Sequence, residues 1–102
     1  MFGIFHQGDI IKIEKIKFPV LVVSKDFFNS SGQIIGCPIT PDAVKGPLHI
    51  SINTNEVKGV VHCENLKMLD LRIRGCKKLD ALQSNELIDI VDAIQGIFDY
   101  IV

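Results

Sequence analysis

Two side chains near the end of a short apolar segment are of the types that proton transfer requires. His62 and Glu64 are separated by a single residue, and alternate residues of a β-strand project from the same face of a sheet. An imidazole and a carboxylate on one face can exchange protons near neutral pH, which makes the two residues a candidate acid–base pair. Most such pairs are surface ion pairs without catalytic function, so both interpretations stand at this point.

A second candidate is the hydroxyl of Thr40, which stands between Pro38 and Pro41 where a predicted strand ends. In a turn, a threonine hydroxyl usually bonds to the nearby backbone; its alternative role is donation to an anionic oxygen of a substrate. His49 falls on the polar face of its predicted strand, where we expect it to be solvated. His6 lies near a terminus and is given no functional role.

The three cysteines, Cys37, Cys63 and Cys76, are too few and odd in number for a disulfide framework. We expect them to be small hydrophobic side chains of a reduced protein. A metal site built from these thiols with His49 or His62 is disfavoured, because adjacent strand residues such as His62 and Cys63 point to opposite faces. The sequence has no Walker loop, GxGxxG, HExxH or CxxC motif, so neither a cofactor nor a metal is predicted.

The elements that position these residues are predicted from the spacing of apolar side chains. Short apolar or alternating segments indicate β-strands. They cover residues 10–16, 18–24, 33–39, 48–52, 59–63 and 69–74, with a seventh candidate at 77–82. Strands this short, followed by one helix, favour a small, strongly bent antiparallel barrel with the helix packed against it.

The C-terminal segment changes to a helical period. Apolar residues recur on one face of a helix that extends from about residue 85 to the C-terminus. They are Leu87, Val91, Ile94, Phe98 and Ile101, and Ile90 and Ile97 widen this apolar stripe. Ser84 is the predicted N-cap, and Glu86 complements the dipole of the first turn.

Length and composition describe one globular domain. The chain has 102 residues, of which 47% are hydrophobic and 23% charged, which suffices for one core. Without repeats or linkers, we expect a single domain over residues 1–102, with the barrel at about 7–82 and the helix at about 85–102. No run approaches the roughly 20 apolar residues of a membrane span and no secretory signal is recognisable, so the prediction is a cytoplasmic protein without membrane contact.

The charge distribution leaves a polyanionic partner open, although the formal net charge is only −1. All 11 basic residues lie within residues 1–78 with seven of the 12 acidic ones, whereas residues 79–102 contain acidic residues and no basic one. A basic body with an acidic terminal segment can bind phosphate on one face. The alternative is that its lysines are merely solvated.

Several segments, taken in order, resemble the MazF/PemK toxins. They are QGDII at 7–11, PVLVVS at 19–24, FN at 28–29, CPIT at 37–40, KGPLHI at 45–50, GVVHCE at 59–64 and KMLDLRIRG at 67–75. No single segment is diagnostic, but their order and spacing hold over nearly the whole chain.

The resemblance implies a mainly β fold with a C-terminal helix (α+β), a small SH3-like antiparallel β-barrel of the MazF/PemK (CcdB-like) type. It implies a homodimer, a cognate antitoxin as protein partner, and metal-independent cleavage of single-stranded RNA such as mRNA by a toxin-type endoribonuclease. The positions that match the family's site give three catalytic candidates, Thr40, His62 and Glu64, and three substrate-binding candidates, Lys17, Phe18 and Asp9.

Two departures from the family pattern concern the site. Phe18 stands where the family usually carries an arginine directly before the proline of the second strand. Few residues separate Asp9 from Pro19, so most of the family's long first loop is missing. Lys17 is the candidate replacement for the guanidinium, as a less rigid point charge.

Three hypotheses therefore stand. The first is an active endoribonuclease in which His62 is general base or acid with Glu64 as its partner and Thr40 as a donor to the phosphate. The second is a catalytically degenerate family member that binds RNA or a protein without cleavage. The third is a small SH3-like module that acts only through protein contacts.

Overall fold

The computed structural model describes residues 4–41 and 46–99, which form seven strands and two helices. In chain order these elements are β1 (Asp9–Ile13), β2 (Val20–Val22), α1 (Asp26–Asn29), β3 (Gln33–Thr40), β4 (His49–Asn53), β5 (Lys58–His62), β6 (Lys67–Asp70), β7 (Cys76–Ala81) and α2 (Ser84–Phe98). Neither helix has the length and apolar character needed to cross a membrane.

The long strand β3 organises the sheet. It pairs with β2 along one edge and, along the other, with β6 at its start and β5 at its end. The strand order is β4-β5-β3-β2-β1-β7, and every pairing is antiparallel. The result is a curled antiparallel half-barrel with a C-terminal helix, which confirms the predicted mainly β fold.

The core fills both faces of the sheet because consecutive residues of the inner strands are buried. In β1, Ile10 packs into one cluster and Ile11 into another, and both are fully buried. In β2, Leu21 packs into the first of these clusters and Val20 into the second. The first cluster also contains Ile90 of α2, which fixes the helix against the sheet. Continuous apolar runs in β1 and β2 therefore follow from burial on two sides.

Some predicted boundaries are wrong for identifiable reasons. The first strand ends at Ile13 rather than at residue 16, because Lys15 adopts a positive φ of 68° and the amide of Ile16 donates back to the carbonyl of Ile13. The short helix α1 was not predicted. Its four residues, DFFN, follow directly on the apolar run of the second strand and carry no helical period of their own.

The C-terminal helix exists, but its start and the extent of its buried face differ from the prediction. Gln83, not Ser84, is the N-cap residue, and no side chain caps the helix. The one fully buried side chain among the described residues of α2 is Ile90, whereas Phe98 is 68% exposed. Ile101 lies outside the described residues.

Candidate active site

Thr40 and His62 meet where two neighbouring strands end. Thr40 is the last residue of β3 and His62 the last of β5, and these strands are hydrogen-bonded through Thr40 and Val60. The hydroxyl Oγ1 of Thr40 lies 2.7 Å from Nε2 of His62. Gly59 permits the backbone of β3 to lie close to β5 at this point, because a Cβ at that position would lie 2.7 Å from the carbonyl oxygen of Thr40.

A second histidine joins the pair across β4 and β5. His49 lies directly opposite His62 in the strand register, and the two ring centroids are 4.7 Å apart at a tilt of 51°. Nε2 of His49 donates to Oε1 of Glu64 at 2.5 Å. The side chain of His49 is only 22% exposed, so the expectation of a merely solvated histidine is wrong.

Glu64 therefore takes its hydrogen bond from His49, whereas the sequence suggested a direct pairing with His62. Partial desolvation raises the pKa of the Glu64 carboxyl, but the hydrogen bond from His49, a backbone hydrogen bond and the two nearby imidazoles together lower it below its usual value. A carboxyl with a lowered pKa is ionised at neutral pH. The four side chains form a sequence of contacts from the Glu64 carboxylate through His49 and His62 to the Thr40 hydroxyl.

Thr40 and His62 form part of the wall of an open cleft of about 620 Å³. Four basic side chains also line it: Lys15, Lys17, Lys67 and Arg74. No acidic residue is among its lining residues, all of which belong to the described part of the chain. A cleft lined by one sign of charge concentrates ligands of the opposite sign, here an anion.

Phe18 adds an aromatic surface to the cleft. It is half-buried, and Nζ of Lys17 lies 5.1 Å from the centroid of its ring, within the range of a cation–π contact. Aromatic rings in such clefts can stack on nucleobases without regard to sequence.

The remaining substrate-binding candidate, Asp9, is not brought to the cleft. Its side chain is buried, accepts a hydrogen bond from the backbone amide of His6 at 2.9 Å, and lies 3.3 Å from Nζ of Lys78. These contacts connect the chain before β1 with β7. Asp9 therefore stabilises the barrel where the two strands pair.

Three cleft cations, Lys15, Lys67 and Arg74, were missed by the sequence analysis, and two of them come from separate turns. Lys15 follows β1 and Arg74 precedes β7, and the turns are joined where the amide of Glu14 donates to the carbonyl of Gly75 at 2.8 Å. Their basic side chains were the available signal, but the sequence analysis placed Lys15 and Arg74 within predicted strands, at residues 10–16 and 69–74. Only the β1–β7 pairing shows that the turns lie side by side.

Arg72 differs from Arg74, because the guanidinium of Arg72 is hydrogen-bonded to a carboxylate. Nε and Nη2 of Arg72 donate to the two oxygens of Asp70 at 3.0 and 2.7 Å. These side-chain hydrogen bonds, with one from the Arg72 amide, lower the pKa of Asp70 to about 2. Arg72 does not line the cleft.

The cysteines are not poised for chemistry at neutral pH. Burial is the main cause that raises the pKa of Cys37 to about 12 and that of Cys63 to about 11. Both thiols are fully buried among apolar residues. They are small core side chains, and the nucleophilic thiolate form is suppressed.

The fold and the position of the site define a class of protein. Residues 7–98 match the family of PemK-like, MazF-like toxins of type II toxin–antitoxin systems. Because the match spans most of the chain, the protein belongs to this family. No curated protein matches the chain at a significant level.

Solved structures show the same fold at low sequence identity. A chain of the MazE–MazF complex (Form-I) from Deinococcus radiodurans is 22% identical, with a TM-score of 0.86 over 95% of this chain and 98% of that chain. An endoribonuclease from a mycobacterial species is 16% identical, with a TM-score of 0.83 over 96% and 94%. The toxin MazF-mt6 of Mycobacterium tuberculosis is 18% identical, with a TM-score of 0.73 over 91% and 99%.

Proposed function

We propose that the protein is a toxin-type endoribonuclease that cleaves single-stranded RNA without a metal ion. The observation that carries the proposal is the Thr40–His62 pair, 2.7 Å apart, in the wall of a cleft. Among the described residues, four basic side chains and no acidic one line this cleft. The cations suit the phosphates of RNA, and the open shape of the cleft admits an unpaired strand. Membership of the toxin family and the fold of an endoribonuclease support the same reaction.

The reaction is attack of a ribose 2′-hydroxyl on the adjacent phosphate. His62 takes the proton of that hydroxyl as general base, a bond forms between the 2′-oxygen and phosphorus, and the bond to the 5′-oxygen breaks. An ammonium group of the cleft, for which Lys17 is the candidate, protonates the departing 5′-oxygen. The products are a 2′,3′-cyclic phosphate and a 5′-hydroxyl end.

The charge that develops on phosphorus-bound oxygens is met by fixed donors. The Thr40 hydroxyl donates to one of them, and the cleft cations stabilise the others. His49 and Glu64 are positioning residues, because the carboxylate holds His49 and the ring of His49 packs on His62. Phe18 offers a stacking surface to a base.

The test is incubation of the purified protein with long single-stranded RNA in excess EDTA. We expect cleavage, and we expect His62→Ala to slow it by roughly 10²–10⁴-fold, the usual contribution of a general acid or base. Thr40→Val removes only a hydroxyl and should slow cleavage while leaving thermal unfolding nearly unchanged. His6→Gln, on a surface away from the cleft, is the matched histidine control. Cleavage that requires a divalent metal would contradict the proposal.

A second candidate function is RNA binding without cleavage. Phe18 favours it, because an aromatic ring stands where the family pattern has an arginine, and a lysine provides weaker geometric control of a phosphate than a guanidinium. Salt-dependent binding of the same RNAs with no cleavage in any of them would establish this function and exclude the first.

We also propose a homodimer that is neutralised by a cognate antitoxin. The support is family membership and three exposed apolar residues of α2, Ile88, Ile97 and Phe98, since exposed apolar surface commonly marks an interface. A mycobacterial endoribonuclease of the same fold is solved in complex with its cognate antitoxin. Sedimentation at high micromolar concentration should give twice the chain mass of 11.3 kDa; the mass of a single chain would exclude the dimer.

A further inference from the structure

The site contains a second arrangement of donors that the cleavage reaction does not use. One ligand atom each from His49, His62 and Glu64 lie within 4.8 Å of one another. We propose that these three side chains form a Zn²⁺ site, and that zinc bound there inhibits the protein by occupying His62. Binding stands on the geometry alone, whereas inhibition rests on the proposed function.

The donor set suits zinc in type and number. Two imidazoles and one carboxylate are ligands that Zn²⁺ takes in proteins, with a fourth position left to water. Imidazole favours zinc and its neighbours in the transition series over magnesium, which prefers oxygen ligands.

The three residues come from a framework that fixes two of them and leaves the third adjustable. His49 and His62 are opposite residues of paired strands, so their backbone separation is set by the sheet. Glu64 follows the end of β5, and its side chain is 41% exposed. Ligand atoms around tetrahedral zinc lie about 3.3 Å apart, given metal–ligand bonds of about 2.0–2.2 Å. Rotation of Glu64 and a small turn of the rings therefore close the site.

Zinc at this position competes directly with catalysis. The metal takes a nitrogen lone pair of His62, which then cannot accept the proton of a ribose hydroxyl. It also takes the Glu64 oxygen and the His49 nitrogen that otherwise bond to each other. The same three residues thus serve either the cleavage site or the metal, but not both.

The binding test titrates the metal-free protein with ZnCl₂ by calorimetry, and with Co²⁺ by visible absorption. We expect one site per chain, a cobalt spectrum without thiolate charge transfer, and affinity reduced at least about tenfold in His49→Gln and in Glu64→Gln. His6→Gln and Cys76→Ala are the controls and should leave the affinity unchanged. Excess Mg²⁺ should not compete. Circular dichroism verifies that each variant is folded.

Absence of zinc binding, equal affinity in wild type and the folded His49→Gln and Glu64→Gln variants, or a thiolate signature would overturn the site. The inhibition is tested separately as the ratio of RNA cleavage rates without and with saturating ZnCl₂, measured within each variant. Wild type should be slowed and restored by EDTA, and the ratio should move toward one in Glu64→Gln. If no RNA is cleaved under any condition, the proposed nuclease function fails while the binding result still decides the metal site.

Discussion

The hydrogen-bond partner of a titratable side chain determines its role in this protein. Glu64 and Asp70 are both carboxylates with a lowered pKa, but His49 holds one beside the Thr40–His62 pair and Arg72 holds the other away from it. The chemistry of the site therefore depends on pairing as much as on residue type.

Cys37 gives a stability prediction at the residue scale. Its folded-state pKa is raised to about 12 by burial first, with nearby Cys63 and Glu64 adding to the shift, whereas an unfolded thiol ionises near pH 8.5. Above that pH the unfolded chain loses a proton that the folded chain keeps, so the free energy of unfolding falls as pH rises toward 12. The expected slope from this residue is about 1.4 kcal/mol per pH unit.

The measurement is urea unfolding of wild type and Cys37→Ala at several pH values between neutrality and about 10.5. The variant should have a lower free energy of unfolding at neutral pH, because it leaves a small cavity. This difference from wild type should become smaller as pH rises. Cys76→Ala, at a half-buried position, should show a weaker narrowing. A deficit for Cys37→Ala that is constant across this range would contradict the prediction.

At the scale of elements, α2 contributes to stability through one central residue. Ile90, which the sequence pattern placed at the edge of the apolar stripe, is fully buried against the sheet cluster, whereas Val91 is half-buried. The actual buried face includes Ala93 and Ile94, which pack against the same cluster. The buried face therefore agrees with the apolar stripe as far as Ile94, whereas Ile97 and Phe98 are exposed.

Ile90→Asp should unfold the domain. An unpaired carboxylate in this position costs several kcal/mol, a large part of the roughly 5–15 kcal/mol by which a domain of this size is stable. Asp92→Ala, on the exposed face two residues away, should change the unfolding temperature very little. Thermal unfolding followed by circular dichroism makes the comparison. Equal damage from both substitutions would mean that the assigned faces of α2 are wrong.

Local patterns could predict the strands and half of the site. The proline-flanked Thr40 marked the end of β3, and His62 was expected at a strand end. Glu64 was expected on the same strand face, but it follows β5 in a turn and bonds to His49. His49 could not be assigned, because its position opposite His62 depends on the register of β4 against β5. The turn at Lys15 could not be predicted either, because the residue types there do not indicate a positive φ.

At the scale of the whole molecule, charge is divided between the cleft and the C-terminal helix. Four basic residues line the cleft, whereas α2 has three acidic residues and no basic one in its described length. A nearly neutral protein can therefore bind a polyanion on one face while its acidic helix disfavours binding on another. RNA affinity should then depend on the cleft cations alone.

This division predicts the salt dependence of RNA binding. Four cleft cations that each neutralise one phosphate of a single strand give a slope of log K against log salt of about −3. In the His62→Ala background, which prevents cleavage during the measurement, Lys17→Gln should reduce the magnitude of that slope by about 0.7. Lys25→Gln, an exposed lysine outside the cleft, should leave it unchanged. Fluorescence anisotropy of a labelled RNA in roughly 50–200 mM KCl measures the slope for each variant. Equal effects of the two substitutions would show that RNA affinity depends on the general charge of the protein instead of on the cleft cations.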